Sequence, residues 1–111
     1  MPRSDRHSLE HMFESATRLR TLAGERGRAT FDDDEAVRLA MLHLIQRLGE
    51  AASRLSAEFR ATHAEFPWAE MIGMRNRIVH SYDDLDADII WRVASDDVEP
   101  IIAALERALV E

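Results

Sequence analysis

Residues 32–59, DDDEAVRLAMLHLIQRLGEAASRLSAEF, carry the pattern that decides the fold. Val37, Met41, Leu44, Ile45, Leu48, Ala52, Leu55 and Phe59 recur at spacings of three and four, which lines them along one stripe of a 3.6-residue helix. Asp32, Asp33 and Asp34 stand just ahead of the stripe. Carboxylates there can accept the unpaired N–H groups of a first helical turn and face the positive end of the helix dipole. The spacing predicts one long helix from the aspartates to Phe59, the longest element of the chain.

Toward the N-terminus, Leu9, Met12, Phe13, Ala16, Leu19 and Leu22 repeat the same periodicity and predict a first amphipathic helix over 4–23, ended by Gly24 and Gly27. Downstream, His63 to Phe66 reads as a connection. Pro67 suits the first turn of a third helix that carries Trp68, Met71, Ile72, Met74, Ile78 and Val79 and ends near Ser81. Asp86 or Asp88 can cap a fourth segment with Ile89, Ile90, Trp91 and Val93. Asp96 or Asp97 can cap a last one from Val98 to Leu109, with Pro100 in its opening turn. Nothing alternates with period two and no internal repeat occurs. The expectation is a single all-α domain over 1–111, an up-and-down bundle of four to five helices.

Composition narrows the function. At 111 residues, 46% of them apolar and 32% charged, the chain has room for one hydrophobic core and no second catalytic domain. The absence of cysteine excludes disulfides, thiolate nucleophiles and Cys-ligated zinc. No apolar run is long enough for a membrane span, and the polar start MPRSDRHSLE lacks the apolar stretch of a signal peptide, so a cytoplasmic location is expected. A net charge of −7 argues against broad binding along a phosphate backbone, so any contact with nucleic acid must be local. An acidic surface also suits a basic protein partner. All 14 basic residues are arginine, a bias that points to a GC-rich genome more than to a function.

Within the third helix, Arg75 falls inside the stripe of Met71, Met74, Ile78 and Tyr82 rather than opposite it. An arginine so placed requires a partner, such as a glutamate on the long second helix, or a stem that packs while its head reaches water. His80 lies five residues on, about 140° round a regular helix. Fraying near the helix end, or a second subunit, would have to bring the two together. Asn76 and His80 form an i,i+4 pair, so the amide can hold the imidazole in one orientation. The plainer alternative is a histidine that stabilises a helix C-terminus.

The stretch FPWAEMIGMRNRIVHSYDDLD (residues 66–86) closely resembles the core of the HepT-like family of the HEPN superfamily. The signature is Arg, then Asn or another polar residue, three further positions, His, any residue, and Tyr; Arg75, Asn76, His80 and Tyr82 fill it. Pro67 and Trp68 stand at the family's usual place upstream, HLIQRLGEAASRLS (43–56) looks like its second-helix segment, and Trp91 and Pro100 suit its C-terminal region.

The resemblance implies a HEPN-type bundle that acts as a homodimeric, metal-independent endoribonuclease toxin with no cofactor, Arg75 and His80 of both subunits facing one cleft and Asn76 in support. The RNA substrate, tRNA or mRNA, is left open. It also implies a type VII-like toxin–antitoxin pair, in which a minimal nucleotidyltransferase antitoxin either transfers AMP to Tyr82 or neutralises by binding. The plainer role for Tyr82 is an aromatic that packs its ring at a helix end. The rival from another class is a non-catalytic helical module that binds a nucleotidyltransferase or a nucleotide. His7, Ser8, Leu9, Glu10 and His11 spell H-x-x-E-H, a zinc-peptidase motif, but the chain is too short for that fold. His43 reads as a helix-face residue, His63 as a loop residue, and Met41, Met71 and Met74 as core filling.

Overall fold

The computed structural model describes residues 1–111 and is helical almost throughout. Helix α1 spans Arg3–Asp33, α2 Glu35–Ser53, α3 Ala57–Thr62, α4 Trp68–His80, α5 Ala87–Arg92 and α6 Val98–Leu109. A 3₁₀ turn at Tyr82–Asp84 follows α4, and a π turn at Val93–Asp97 joins α5 to α6 without a break in the rod. Five rods result, one of them the short α3, in the all-α arrangement the periodicities predict.

α1 and α2 lie side by side and α6 packs on α1. Leu9, Met12, Ala16 and Leu19 of α1 bury against Met41, Ile45, Leu48 and Ala52 of α2 and Val98, Ile102 and Leu105 of α6. α4 packs chiefly on α2, through Met71 and Ile78. No helix is long and apolar enough to cross a membrane.

Three predicted boundaries differ. α1 runs through Gly24 and breaks only at Gly27, whose φ of +77° suits a residue without a Cβ. Helix resumes to Asp33 because Phe31 is buried there against Trp91, with ring centroids 5.5 Å apart. The caps divide accordingly. Asp32 and Asp33 end α1, and Asp34 alone caps α2, its Oδ1 accepting from the N–H groups of Ala36 at 2.9 Å and Val37 at 3.3 Å.

α2 stops at Ser53 rather than Phe59. Ser56 caps α3 by accepting from the Phe59 N–H at 3.1 Å, while its own N–H and hydroxyl donate to the buried carboxylate of Asp5 at 2.9 and 2.7 Å. A side chain that satisfies the backbone this way competes with continuation of the helix. Lastly, Asp86 caps α5, but neither Asp96 nor Asp97 caps α6. The Val98 N–H instead reaches back five residues to the Val93 carbonyl. Pro100 has no N–H to offer the carbonyl of Asp96, so the helix loosens one turn ahead of it.

Candidate active site

The start of α4 is fixed by its tryptophan. Trp68 Nε1 donates to the carbonyls of Arg60 at 3.2 Å and His63 at 3.0 Å, and its ring stacks on Phe66 with centroids 4.6 Å apart. From that anchor α4 runs across α2, and the closest approach falls at the buried Gly49. A Cβ there would lie 2.5 Å from Arg75 Cβ and 2.7 Å from the Met71 carbonyl oxygen. Only a residue without a side chain lets the helices meet so closely.

The stem of Arg75 therefore rests on α2, and its head is held from two sides. Nε lies 3.8 Å from Glu50 Oε1, a charge contact longer than a hydrogen bond, and it is sealed from solvent with no hydrogen-bond partner. Nη1 donates to Asn76 Oδ1 at 2.9 Å. Glu50 Oε1 in turn accepts from Gln46 Nε2 at 3.1 Å. The side chains of Arg75 and Glu50 are 33% and 31% exposed, and an ion pair in that setting contributes roughly 0–1 kcal/mol. The contact orients the guanidinium more than it stabilises the fold.

His80 is the last residue of α4, exposed, with no hydrogen bond or ion pair. The helix does not fray before it: the Ser81 N–H donates to the Arg77 carbonyl at 2.8 Å. Arg75 and His80 of one chain therefore keep the wide angular separation of a regular helix. Asn76, expected to orient the His80 imidazole, turns its amide oxygen to Arg75 instead. Tyr82 does not continue the stripe of Met71 and Ile78, because the chain leaves α4 at Ser81; it opens the 3₁₀ turn and is 47% exposed.

An open apolar cleft of about 450 Å³ separates α2 and α4 from the α5–α6 rod, lined among others by Ile45, Leu48, Met71, Met74, Val93 and Ile101 and not by Arg75, His80 or Tyr82. The cleft extends toward Gly49, under the arginine. Periodicity anticipates an acid on the second helix for Arg75, but does not single out Glu50, Gln46 or the glycine at the crossing.

The other histidines lie apart from this site. His43 is exposed on α2. His63 ends α3 and is half-buried, stacked on Phe59 with centroids 3.8 Å apart and its Nε2 3.0 Å from Glu111 Oε1. His7 and His11 sit on α1 with ring centroids 4.4 Å apart, while Glu10 is drawn to Arg6 at 3.3 Å. No group of three or more His, Asp or Glu side chains is arranged to hold a metal ion.

Comparison with known proteins gives the family. The model of the family described as "Ribonuclease HepT-like" matches residues 12–108. The chain is 26% identical over 107 residues to "Probable ribonuclease HepT" of Thermococcus cleftensis, covering 96% of this chain and 97% of the relative. It is 30% identical over 76 residues to "Putative RNase MJ1380" of Methanocaldococcus jannaschii, covering 68% and 70%. No solved structure matches significantly. The match spans all of α2 and α4 and includes Arg75, Asn76, His80 and Tyr82, so the chain belongs to the HepT-like ribonuclease family.

Proposed function

We propose that the protein is a metal-independent endoribonuclease, the toxin of a toxin–antitoxin pair, and that it cuts RNA as a homodimer through Arg75 and His80. The observation that carries this reading is the position of the motif: Arg75 is braced on α2 with its head partly open to solvent, and His80 and Tyr82 stand exposed at the end of the same helix. RNA cleavage without a metal requires three services. A base takes the proton of the ribose 2′-OH, whose oxygen attacks phosphorus; an acid protonates the departing 5′-oxygen; a cation offsets the charge that builds on the phosphoryl oxygens. The products are a 2′,3′-cyclic phosphate and a free 5′-hydroxyl.

One imidazole cannot be base and acid in the same step. Two copies of the chain supply two His80, one neutral and one charged, and two Arg75 from a motif written once per chain. The guanidinium fork suits phosphate oxygens. The mostly apolar cleft between α4 and the α5–α6 rod supports the dimer, since it offers a second copy an apolar surface that reaches Gly49. With a net charge of −7, RNA contact is confined to this locus, and tRNA and mRNA are both compatible with it.

Tyr82 supplies the off switch. Its hydroxyl attacks the α-phosphorus of ATP on a nucleotidyltransferase antitoxin, pyrophosphate leaves, and the phenolic proton is lost to solvent. The bound AMP then adds bulk and negative charge at the end of α4 and blocks the phosphate site.

The experiment is cleavage of total tRNA and of a short labelled RNA by the unmodified protein in EDTA, beside His80→Ala and Arg75→Ala. Cleavage that survives chelation and vanishes in both variants, with helical content unchanged, is the expected result. A verified unmodified dimer that leaves both RNAs intact would replace this reading with the non-catalytic module.

A further inference from the structure

Arg75 is the only charged group of the motif that the fold holds by its neighbours, and beyond Asn76 the neighbours lie on a helix outside the motif. Three residues of α2 contribute. Gly49 makes room for the stem, Glu50 faces Nε at 3.8 Å, and Gln46 fixes the same Glu50 oxygen by donating to it at 3.1 Å. Asn76 takes Nη1, which leaves Nη2 with no protein partner. The guanidinium is therefore hydrogen-bonded at Nη1, faced by a carboxylate beyond hydrogen-bond distance at Nε, and without a protein partner at Nη2.

We infer that Glu50, steadied by Gln46, is a positioning residue for Arg75, one that fixes the guanidinium plane so that the Nη2 end is presented to the scissile phosphate. A purely structural pair would matter through stability, yet at one-third exposure the pair contributes little to it. Orientation is different, because a displacement of about 1 Å at a group that contacts the transition state costs on the order of 10²-fold in rate. Glu50 also carries a charge that would repel the phosphate if the carboxylate lay free, so the Gln46 contact that turns it toward Nε is part of the same device.

The kinetic consequence rests on the ribonuclease reading above, whereas the geometry does not, and the test separates them. Glu50→Gln keeps the shape and the Gln46 contact but drops the charge. In ¹⁵N-labelled dimer, the Arg75 Nε–H resonance, identified by its loss in Arg75→Lys, should shift and broaden in Glu50→Gln. In the same preparations kcat should fall about 10- to 100-fold with KM within about twofold, Glu50→Asp should recover part of the loss, and Tm should stay level. In the Arg75→Lys background Glu50→Gln should add little further loss, as two residues that act as a unit require. An Arg75 resonance indifferent to Glu50 overturns the inference, as does unchanged kcat in a variant whose resonance has moved. If the wild-type protein cuts no RNA while the resonance still moves, the positioning stands and the ribonuclease reading fails.

Discussion

Gly49→Ala tests the crossing that places Arg75. The new Cβ would sit 2.5 Å from Arg75 Cβ and 2.7 Å from the Met71 carbonyl oxygen, and neither atom belongs to the free end of a flexible side chain. Carbon atoms pack at about 3.5–4.0 Å, so α4 must retreat from α2 by about 1 Å. Two effects then oppose each other. Alanine is the better helix former by about 1 kcal/mol, and overpacking of a close contact costs about 1–3 kcal/mol. Gly73, on α4, has nothing within 4 Å of its ideal Cβ, so Gly73→Ala takes the propensity gain without the clash. At roughly 4 °C per kcal/mol, thermal unfolding should place Gly49→Ala about 4–12 °C below Gly73→Ala. In the RNA cleavage assay Gly49→Ala should also lose on the order of 10²-fold in kcat, because the arginine moves with its helix. A Gly49→Ala protein that melts as high as Gly73→Ala would refute the close approach and, with it, the account of how Arg75 is held.

Asp5 is buried and accepts two hydrogen bonds from Ser56. Asp5→Ala leaves both donors unpaired, and the urea midpoint should drop by the equivalent of about 1–3 kcal/mol; an unchanged midpoint would remove this contact from the account of the α2–α3 corner. His63 has a pKa raised above the ordinary 6.5: burial opposes the charged form, but hydrogen bonds to Glu111 and the Phe59 carbonyl outweigh it. A raised folded pKa means that the added stability is complete below 6.5 and is lost as pH rises through the folded value, so Tm should decline across that interval, less so in Glu111→Gln. Equal pH profiles for the two proteins would exclude the pair as the cause. Tyr82→Phe removes the acceptor oxygen and should abolish transfer of labelled AMP from ATP by the proposed nucleotidyltransferase antitoxin; undiminished labelling would place the modification elsewhere.

Much of the fold was legible in the sequence because apolar periodicity reports which face is buried, and that holds for Leu9 to Leu19, Met41 to Ala52 and Val98 to Leu105 alike. What escaped it were helix ends decided by distant partners. Gly24 looks like a terminator, but the helix ends only where φ turns positive, at Gly27, and then resumes because Phe31 finds Trp91. Ser56 stops α2 by way of an aspartate 51 positions earlier. Of the candidate site, Arg75, His80 and Tyr82 stand out in the sequence as a spacing and a family pattern. Their surroundings stand out less, since Asn76 sits at the right distance for His80 and yet turns to Arg75.

The spacing of the motif itself bears on why a second copy belongs to the proposed mechanism. Residues four apart on a helix are about 40° apart in azimuth, and residues five apart about 140°. A motif built to work within one chain would put its cation and its imidazole on one face. Here a regular helix carries Arg75 to the α2 side, where Gly49 and Glu50 brace it, and carries His80 outward to solvent, where nothing in the chain meets it. The two demands differ for a physical reason. The cation must be oriented and partly dried to be worth more than a hydrated ion, whereas the imidazole must exchange protons and reach a sugar hydroxyl. Splitting them across a two-fold axis meets both: each braced arginine can face the exposed histidine of the other chain. Because the proposed mechanism needs two imidazoles, mixing His80→Ala with Arg75→Ala should leave the heterodimer, which has one, as inactive as either parent. Cleavage restored in the mixture would show that one intact cross-pair of arginine and histidine suffices and would refute the paired acid and base.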